Sequence, residues 1–101
     1  MISKELIDFL EKIDPLLSDA DFSHRERTFS RTVKLTEEVG ELCEAVLADA
    51  NQQQRKNKNF NLEEEIADVL ITSLLIANHK NLDINQALTD KVEKIKKRFN
   101  I

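Results

Sequence analysis

Two short acidic motifs carry most of the chemistry that this sequence could perform. Glu37, Glu38 and Glu41 form an EExxE motif, and Glu65 and Asp68 form an ExxD motif further along the chain. Acids three residues apart share one face of a helix. If the two faces meet, the carboxylates repel each other unless a cation lies between them. Carboxylate oxygens suit Mg²⁺, Mn²⁺ or Ca²⁺ better than zinc, so the spacing predicts a metal site.

The alternative for these acids is a solvated helix surface without chemistry. The surroundings of Asp68 argue against it, because nine of the twelve residues from 66 to 77 are apolar. A carboxylate buried without a partner carries a large desolvation cost. The two i,i+3 pairs therefore predict that Glu38, Glu41, Glu65 and Asp68 converge on one metal site.

Cations precede the acids along one stripe of the same predicted helix. The stripe steps by four, three, four and three through Arg27, Arg31, Lys34, Glu38 and Glu41. Cations near a helix N-terminus oppose the helix dipole, and Lys before Glu is the weaker order for an i,i+4 pair. The arrangement fits a polyphosphate lying beyond a metal, with ordinary surface salt bridges as the alternative. A second basic row is formed by Lys91, Lys94 and Arg98.

Four helices are predicted to position these residues, over 3–13, 24–50, 62–77 and 84–99. Pro15 ends the first helix, because the residue before proline is pushed out of the helical region. Asn61 and Asp83 are predicted N-caps. The polar stretch 51–61 is predicted to be a solvated loop, and residues 18–23 a second loop.

The apolar pattern predicts which helix faces are buried. On the second helix the predicted core face, with Cys43 in the core, consists of Phe29, Val33, Thr36, Gly40, Cys43 and Leu47. On the fourth helix it consists of Ile84, Leu88, Val92, Ile95 and Phe99. The third helix is predicted to be buried on several sides, and the short connection after it predicts antiparallel packing against the fourth. Apolar surface outside these faces predicts at least a dimer.

Composition narrows the class of protein. A length of 101 residues predicts one domain, and a net charge of −4 disfavours a nucleic-acid binder. The single cysteine cannot form an intrachain disulfide. No apolar run approaches the length needed to cross a membrane, which predicts a cytoplasmic protein without a membrane partner. His24 and His79 are predicted to be a loop residue and a helix-end residue without a chemical role.

The segment KLTEEVGEL (34–42), followed by EIADVL (65–70), resembles the MazG-like nucleoside triphosphate pyrophosphohydrolases. The resemblance extends through IAN (76–78) and the lysine-containing last helix. It implies a single MazG-like all-α domain over 1–101, in which a four-helix chain forms an oligomeric helical bundle. It also implies hydrolysis of a (deoxy)nucleoside triphosphate to a monophosphate and pyrophosphate by a homodimer or a dimer-of-dimers tetramer.

The resemblance assigns roles to particular residues. It implies Mg²⁺, or Mn²⁺ in its place, held by Glu38, Glu41, Glu65 and Asp68, with Glu37 as an outer ligand or water-orienting group. Glu38 or Glu41 is expected to activate water. The expected substrate contacts are Arg31, Lys34, Asn78 and Lys91. The chain lacks Trp and Tyr, so an aromatic platform for the base would come from Phe22, Phe29 or Phe60.

Two other functions remain open from the sequence. One is a non-enzymatic helical dimerisation or interaction module whose acids are solvated. The other is a di-iron bundle, which is disfavoured because such bundles use Glu-x-x-His pairs. Neither histidine lies three residues after a glutamate.

Overall fold

The computed structural model describes residues 1–50 and 61–101, which contain four α-helices and no β-strand. The helices are α1 (Lys4–Ile13), α2 (His24–Asp49), α3 (Leu62–His79) and α4 (Ile84–Phe99). A 3₁₀ turn, Asp14–Leu16, follows α1. The predicted all-α class is confirmed. The predicted loop at 51–60, with Phe60, lies outside the described residues. No helix in the described part is long and apolar enough to span a membrane.

Side-chain caps define where the helices begin. The Asn61 side chain accepts a hydrogen bond from the Glu64 amide, and Asp83 accepts one from the Gln86 amide, as predicted. A complete capping box at the start of α2 was not predicted, although its Ser-x-x-Glu signature is present in the sequence. There Ser23 accepts from the Glu26 amide while the Glu26 carboxylate accepts from the Ser23 amide.

The body of the fold is the pair of long helices α2 and α3, with α1 and the 3₁₀ turn packed against α3. Its small apolar core contains Leu10, Ala45, Leu75 and Ala77, all buried. Because α2 and α3 lie side by side, the acidic motif of each helix can face the other. This pairing positions the candidate site.

The predicted core face of α2 is wrong for the single chain. Phe29 and Val33 are 54% and 59% exposed, and Cys43 is also exposed. The buried residues of α2 are instead Arg31, Glu38 and Ala45, which lie on the opposite side of the helix. The spacing of apolar residues predicted the wrong face because α2 carries apolar residues on two faces. The face that packs on α3 includes two charged residues, and both are nearly as buried as the core.

The predicted antiparallel packing of α4 on α3 is also wrong for the described chain. No residue of α4 is buried, and α4 packs along none of the other described helices. Its first turn is attached to the N-terminus, because the Ile2 amide donates to the Asn85 side chain and Asn85 donates back to the Ile2 carbonyl. Within residues 1–50 and 61–101, the apolar stripe of α4 is at most half-buried, and Phe99 at its end is 65% exposed.

Candidate metal centre

Three acids from the two motifs meet between α2 and α3. Glu38 comes from α2, and Glu65 and Asp68 come from the first turns of α3. One carboxylate oxygen of each lies within 4.8 Å of the others. Glu38 is only 7% exposed, while Glu65 and Asp68 are half-buried. The helix pairing therefore brings together three of the four residues predicted to hold a metal.

Two oxygens of this cluster have no hydrogen-bond partner among the residues that the structure describes. They are Glu38 Oε2 and Glu65 Oε2, and both atoms are buried. Burial raises the pKa of Glu65, and the carboxylates of Glu41, Asp68, Glu38 and Glu64 raise it further. Buried polar atoms are almost always paired in folded proteins. Unpaired acidic oxygens in a cluster therefore mark a place where a cation would be stabilised.

The remaining acids of the first motif lie at the edge of the cluster. Glu41 is exposed and lies outside the three-carboxylate group, yet it is near enough to raise the pKa of Glu65. Glu37 is exposed and lies 3.5 Å from Lys34 Nζ. Lys34 Nζ also lies 3.2 Å from Glu38 Oε1, and these two carboxylates raise the pKa of Lys34. Lys34 thus places a cation directly beside the acidic cluster.

A pocket of about 720 Å³ lies next to Lys34, between the first half of α2, the segment before it and α3. This volume is within the usual range for small-molecule sites. Its apolar lining includes Leu17, Phe22, Phe29, Val33 and Leu75. Its polar lining includes Arg31, Lys34 and Glu37. The pocket therefore has an apolar part that contains two phenylalanines and a charged part beside the carboxylates.

The other expected substrate contacts lie in different environments. Arg31 lines the pocket, but its guanidinium is buried and bonded within the chain. Asn78 is half-buried and lines a separate cavity of about 100 Å³ between α1, α3 and the start of α4. Lys91 is exposed on α4, which does not pack against α2. The substrate roles of all three residues stay predictions.

Sequence reasoning missed a polar network beside the pocket. It connects Asp14, Ser18, Arg31, His24 and His79, which are far apart in sequence. No local spacing could have revealed it, because only the tertiary fold brings the 3₁₀ turn against α2 and the end of α3. The His24 and His79 rings stack with centroids 4.2 Å apart.

Comparison with known families agrees with this geometry. The sequence model of the MazG nucleotide pyrophosphohydrolase domain matches residues 27–100, which include both acidic motifs. The chain belongs to this family. No curated protein and no solved structure matches it.

The residues present fit a divalent cation. The donors are all carboxylates, two of their buried oxygens lack a partner, and the group spans a few ångströms. An all-oxygen donor set of this kind suits hard cations such as Mg²⁺ or Mn²⁺. The cluster can therefore hold such a metal, with Glu38, Glu65 and Asp68 as the residues that would contact it.

The raised pKa of Glu65 gives a pH prediction for the metal-free protein. A carboxyl whose pKa is higher in the folded state than its ordinary value of 4.5 stabilises the fold at low pH. That contribution is lost as the pH rises through the raised value. We therefore expect the denaturant concentration at the unfolding midpoint, measured in EDTA, to fall between pH 5 and pH 7. The fall should be smaller in Glu65→Gln than in the unchanged protein. Glu63→Gln, an exposed acid on the same helix, is the matched control.

The comparison at pH 7 decides the outcome. Glu65→Gln should be the more stable protein there without metal, because it removes one charge from a repelling group. A Glu65→Gln protein that is less stable than the unchanged protein in EDTA at pH 7 would contradict this electrostatic account.

Proposed function

We propose that this protein is a Mg²⁺-dependent nucleoside triphosphate pyrophosphohydrolase, with Mn²⁺ able to replace Mg²⁺. It would cleave a ribo- or deoxyribonucleoside triphosphate between the α- and β-phosphates to give the monophosphate and pyrophosphate. The observation that carries the proposal is the group of three carboxylates with two unpaired buried oxygens, which lies beside a nucleotide-sized pocket. Membership of the MazG family supports the reaction class.

The pocket suggests how a nucleotide would lie. Phe22 and Phe29 line its apolar part, where an aromatic base could stack. Lys34 lies between this part and the carboxylates, so it would contact the phosphates. The metal, once bound by Glu38, Glu65 and Asp68, would neutralise charge on the phosphate oxygens. Base and triphosphate would therefore occupy opposite ends of one site.

Glu41 is the carboxylate best placed to activate water. Glu38 is paired with Lys34 and nearly buried, whereas Glu41 is exposed and close to the cluster. An accessible carboxylate there can orient a water molecule and accept its proton as the oxygen attacks phosphorus. Glu37 would keep Lys34 in place through their ion pair. The leaving group is pyrophosphate, and the new P–O bond is to the water oxygen.

We also propose that the active form contains at least two copies of the chain. The radius of gyration is 16.4 Å, against about 13 Å for a compact domain of 100 residues. The extra extent fits the unpacked helix α4, whose apolar stripe needs a partner. A second copy could cover it, and could bring Lys91 or Asn78 towards the phosphates. Dimer and dimer-of-dimers arrangements both satisfy this requirement.

A product assay tests the proposed reaction. The purified protein is incubated with each of the eight common ribo- and deoxyribonucleoside triphosphates, with Mg²⁺ or with EDTA. We expect monophosphate and pyrophosphate in equal amounts with at least one substrate, and only with Mg²⁺. Release of orthophosphate and a diphosphate instead would refute the assigned bond. No product from any of the eight would refute the enzymatic function.

The Mg²⁺ dependence of stability separates this proposal from a non-enzymatic interaction module. A ligand that binds only the folded state stabilises it by about 2.7 kcal/mol at 100 times its Kd. We therefore expect the melting temperature to rise by several degrees when saturating Mg²⁺ replaces EDTA. An interaction module with solvated acids should show no such rise. KCl at three times the MgCl₂ concentration gives the same ionic strength and serves as the control.

A further inference from the structure

We propose that Arg31 is a positioning residue that fixes one wall of the nucleotide pocket, rather than a group that contacts phosphate. The inference rests on the proposed function, because it assigns a nucleoside to that pocket. The wall is formed by residues 14–23, which we call the wall segment. Leu17, Ser18 and Phe22 of this segment line the pocket.

Four of the five N–H donors of Arg31 make hydrogen bonds within the chain. Nε donates to Asp14 Oδ1 at 2.7 Å, and Nη2 donates to the Asp14 carbonyl at 2.9 Å and forms an ion pair with Oδ1. Nη1 donates to the Arg27 carbonyl at 3.0 Å and to Ser18 Oγ at 3.3 Å. A guanidinium has five N–H donors in all, so at most one is left for another partner. Arg31 is also only 4% exposed, so a phosphate would have to displace bonds that the fold already makes.

Three of the partner atoms belong to the wall segment. They are the Asp14 carboxylate, the Asp14 carbonyl and the Ser18 hydroxyl. The fourth partner atom is the carbonyl oxygen of Arg27 on α2. It holds the guanidinium of Arg31 one helical turn before the Arg31 Cα. Arg31 therefore connects the wall segment to the helix that carries the first acidic motif. Glu38 lies two turns further along the same buried face.

Apolar side chains contribute little to holding the wall segment, although its 3₁₀ turn packs on α3. Leu16 and Leu17 are 76% and 50% exposed, so neither anchors it in the core. Its internal backbone bonds, from Leu17 to Asp14 and from Phe22 to Asp19, connect only residues of the segment itself. The attachments to α2 are the Arg31 network near its start and the Ser23 capping box at its end. Arg31 thus controls the position of Leu17 and Ser18.

The second oxygen of Asp14 extends the network to α3. His79 Nδ1 lies 3.5 Å from Asp14 Oδ2, and His79 Nε2 lies 3.2 Å from the His24 carbonyl oxygen. The same carboxylate therefore faces Arg31 of α2 through one oxygen and His79 of α3 through the other. Asp14 therefore links the wall segment to both helices that bear the metal site. A change at Asp14 should for this reason move the pocket wall.

Two probes separate positioning from phosphate contact. The nucleoside monophosphate that binds the unchanged protein most tightly reports on the pocket wall, and inorganic tripolyphosphate reports on the phosphate end. Calorimetric affinities for each are measured with Mg²⁺ for the unchanged protein, Arg31→Lys and Asp14→Asn. We expect both variants to bind the monophosphate at least tenfold more weakly and tripolyphosphate within twofold of normal. In turnover, KM should rise by a similar factor while kcat stays within about threefold.

The Asp14 variant gives the sharpest contrast. If Arg31 contacted phosphate, Asp14→Asn would free the guanidinium by weakening its ion pair with Asp14. That variant would then bind tripolyphosphate equally well or more tightly, and it would keep its affinity for the monophosphate. That result, or an equal loss of both ligands in Arg31→Lys, would overturn the proposal. Glu11→Gln, which removes one negative charge from an exposed residue of α1 just as Asp14→Asn removes one from Asp14, is the control for overall charge and should change neither affinity.

Folding and function are checked separately. Helical content and the Mg²⁺-induced rise in melting temperature should persist in each variant, because the carboxylate cluster is untouched. If Asp14→Asn does not fold, Ser18→Ala removes a single bond of the network and should weaken monophosphate binding alone, by about two- to fivefold. Unchanged monophosphate affinity in Ser18→Ala would then count against the proposal. This test measures binding, so it does not require hydrolysis. If the protein binds these ligands but hydrolyses no triphosphate, the proposed reaction is refuted, while the affinities still test the role of Arg31.

Discussion

Replacing Asp68 with asparagine should lower Mg²⁺-dependent triphosphate hydrolysis by about 10³-fold or more. The substitution keeps the volume of the side chain but removes one of the three clustered charges. A metal supplies several kcal/mol of charge stabilisation in such reactions, and about 4 kcal/mol corresponds to roughly 10³-fold in rate. Initial rates of pyrophosphate release at saturating Mg²⁺ measure the loss.

The fold should survive this substitution. Asp68 contributes its backbone carbonyl to Thr72 Oγ1 at 2.7 Å, and that bond does not need the carboxylate. Losing a like charge next to Glu65 should even stabilise the metal-free protein. Glu63→Gln makes the same charge change on an exposed part of α3 and should leave the rate within about twofold. Full activity in Asp68→Asn would remove Asp68 from the metal site.

Replacing Gly40 with leucine should dissociate the proposed dimer, although leucine stabilises an isolated helix more than glycine does. Gly40 lies mid-helix in α2, where glycine costs about 1 kcal/mol relative to alanine. A Cβ built there meets nothing within 4 Å in the chain, so the chain itself gives no reason for glycine. Further along the outer face of α2, Leu47 is 42% exposed and Cys43 is also exposed. Close packing of a second copy on this face would explain both observations.

The expected size of this effect follows from overpacking. Side chains forced into a close contact cost about 1–3 kcal/mol. Because symmetry repeats the contact in both copies of the proposed dimer, its Kd should rise by about 30-fold or more. Sedimentation velocity at micromolar concentration measures the change, with pyrophosphate release as a second readout. Glu11→Leu adds an exposed leucine to α1 as the control. If Gly40→Leu keeps its assembly state and melts at a higher temperature, the outer face of α2 is a free surface.

Local patterns predicted the helices and their ends well. The start of α2, the whole of α4 and the caps at Asn61 and Asp83 were correct because they depend on residues within one turn. The end of α3 extends two residues beyond the prediction, to His79. Helix termini depend partly on neighbours outside the helix, such as Asp14 and His24 here, which explains this difference.

Which face of each helix is buried could not be predicted from apolar spacing alone. Helix α2 carries apolar side chains on two sides, so periodicity could not choose between them. The structure buries Arg31 and Glu38, whose desolvation cost is offset by Asp14 of the 3₁₀ turn and by Lys34, one turn earlier on α2. Lys34 is a local partner that the sequence shows, but Asp14 reaches Arg31 only after the chain has folded.

The helical class, the two acidic pairs and the side of each helix on which each pair lies could be read from the sequence, because they follow from composition and the 3.6-residue period. The meeting of Glu38, Glu65 and Asp68, with Glu41 at the edge, depends on how the helices pack. So do the hydrogen bonds of Arg31 within the chain and the exposure of α4 in the described part of the molecule. The physical reason is that burial and charge pairing depend on which helix faces meet, and a local pattern does not contain that information.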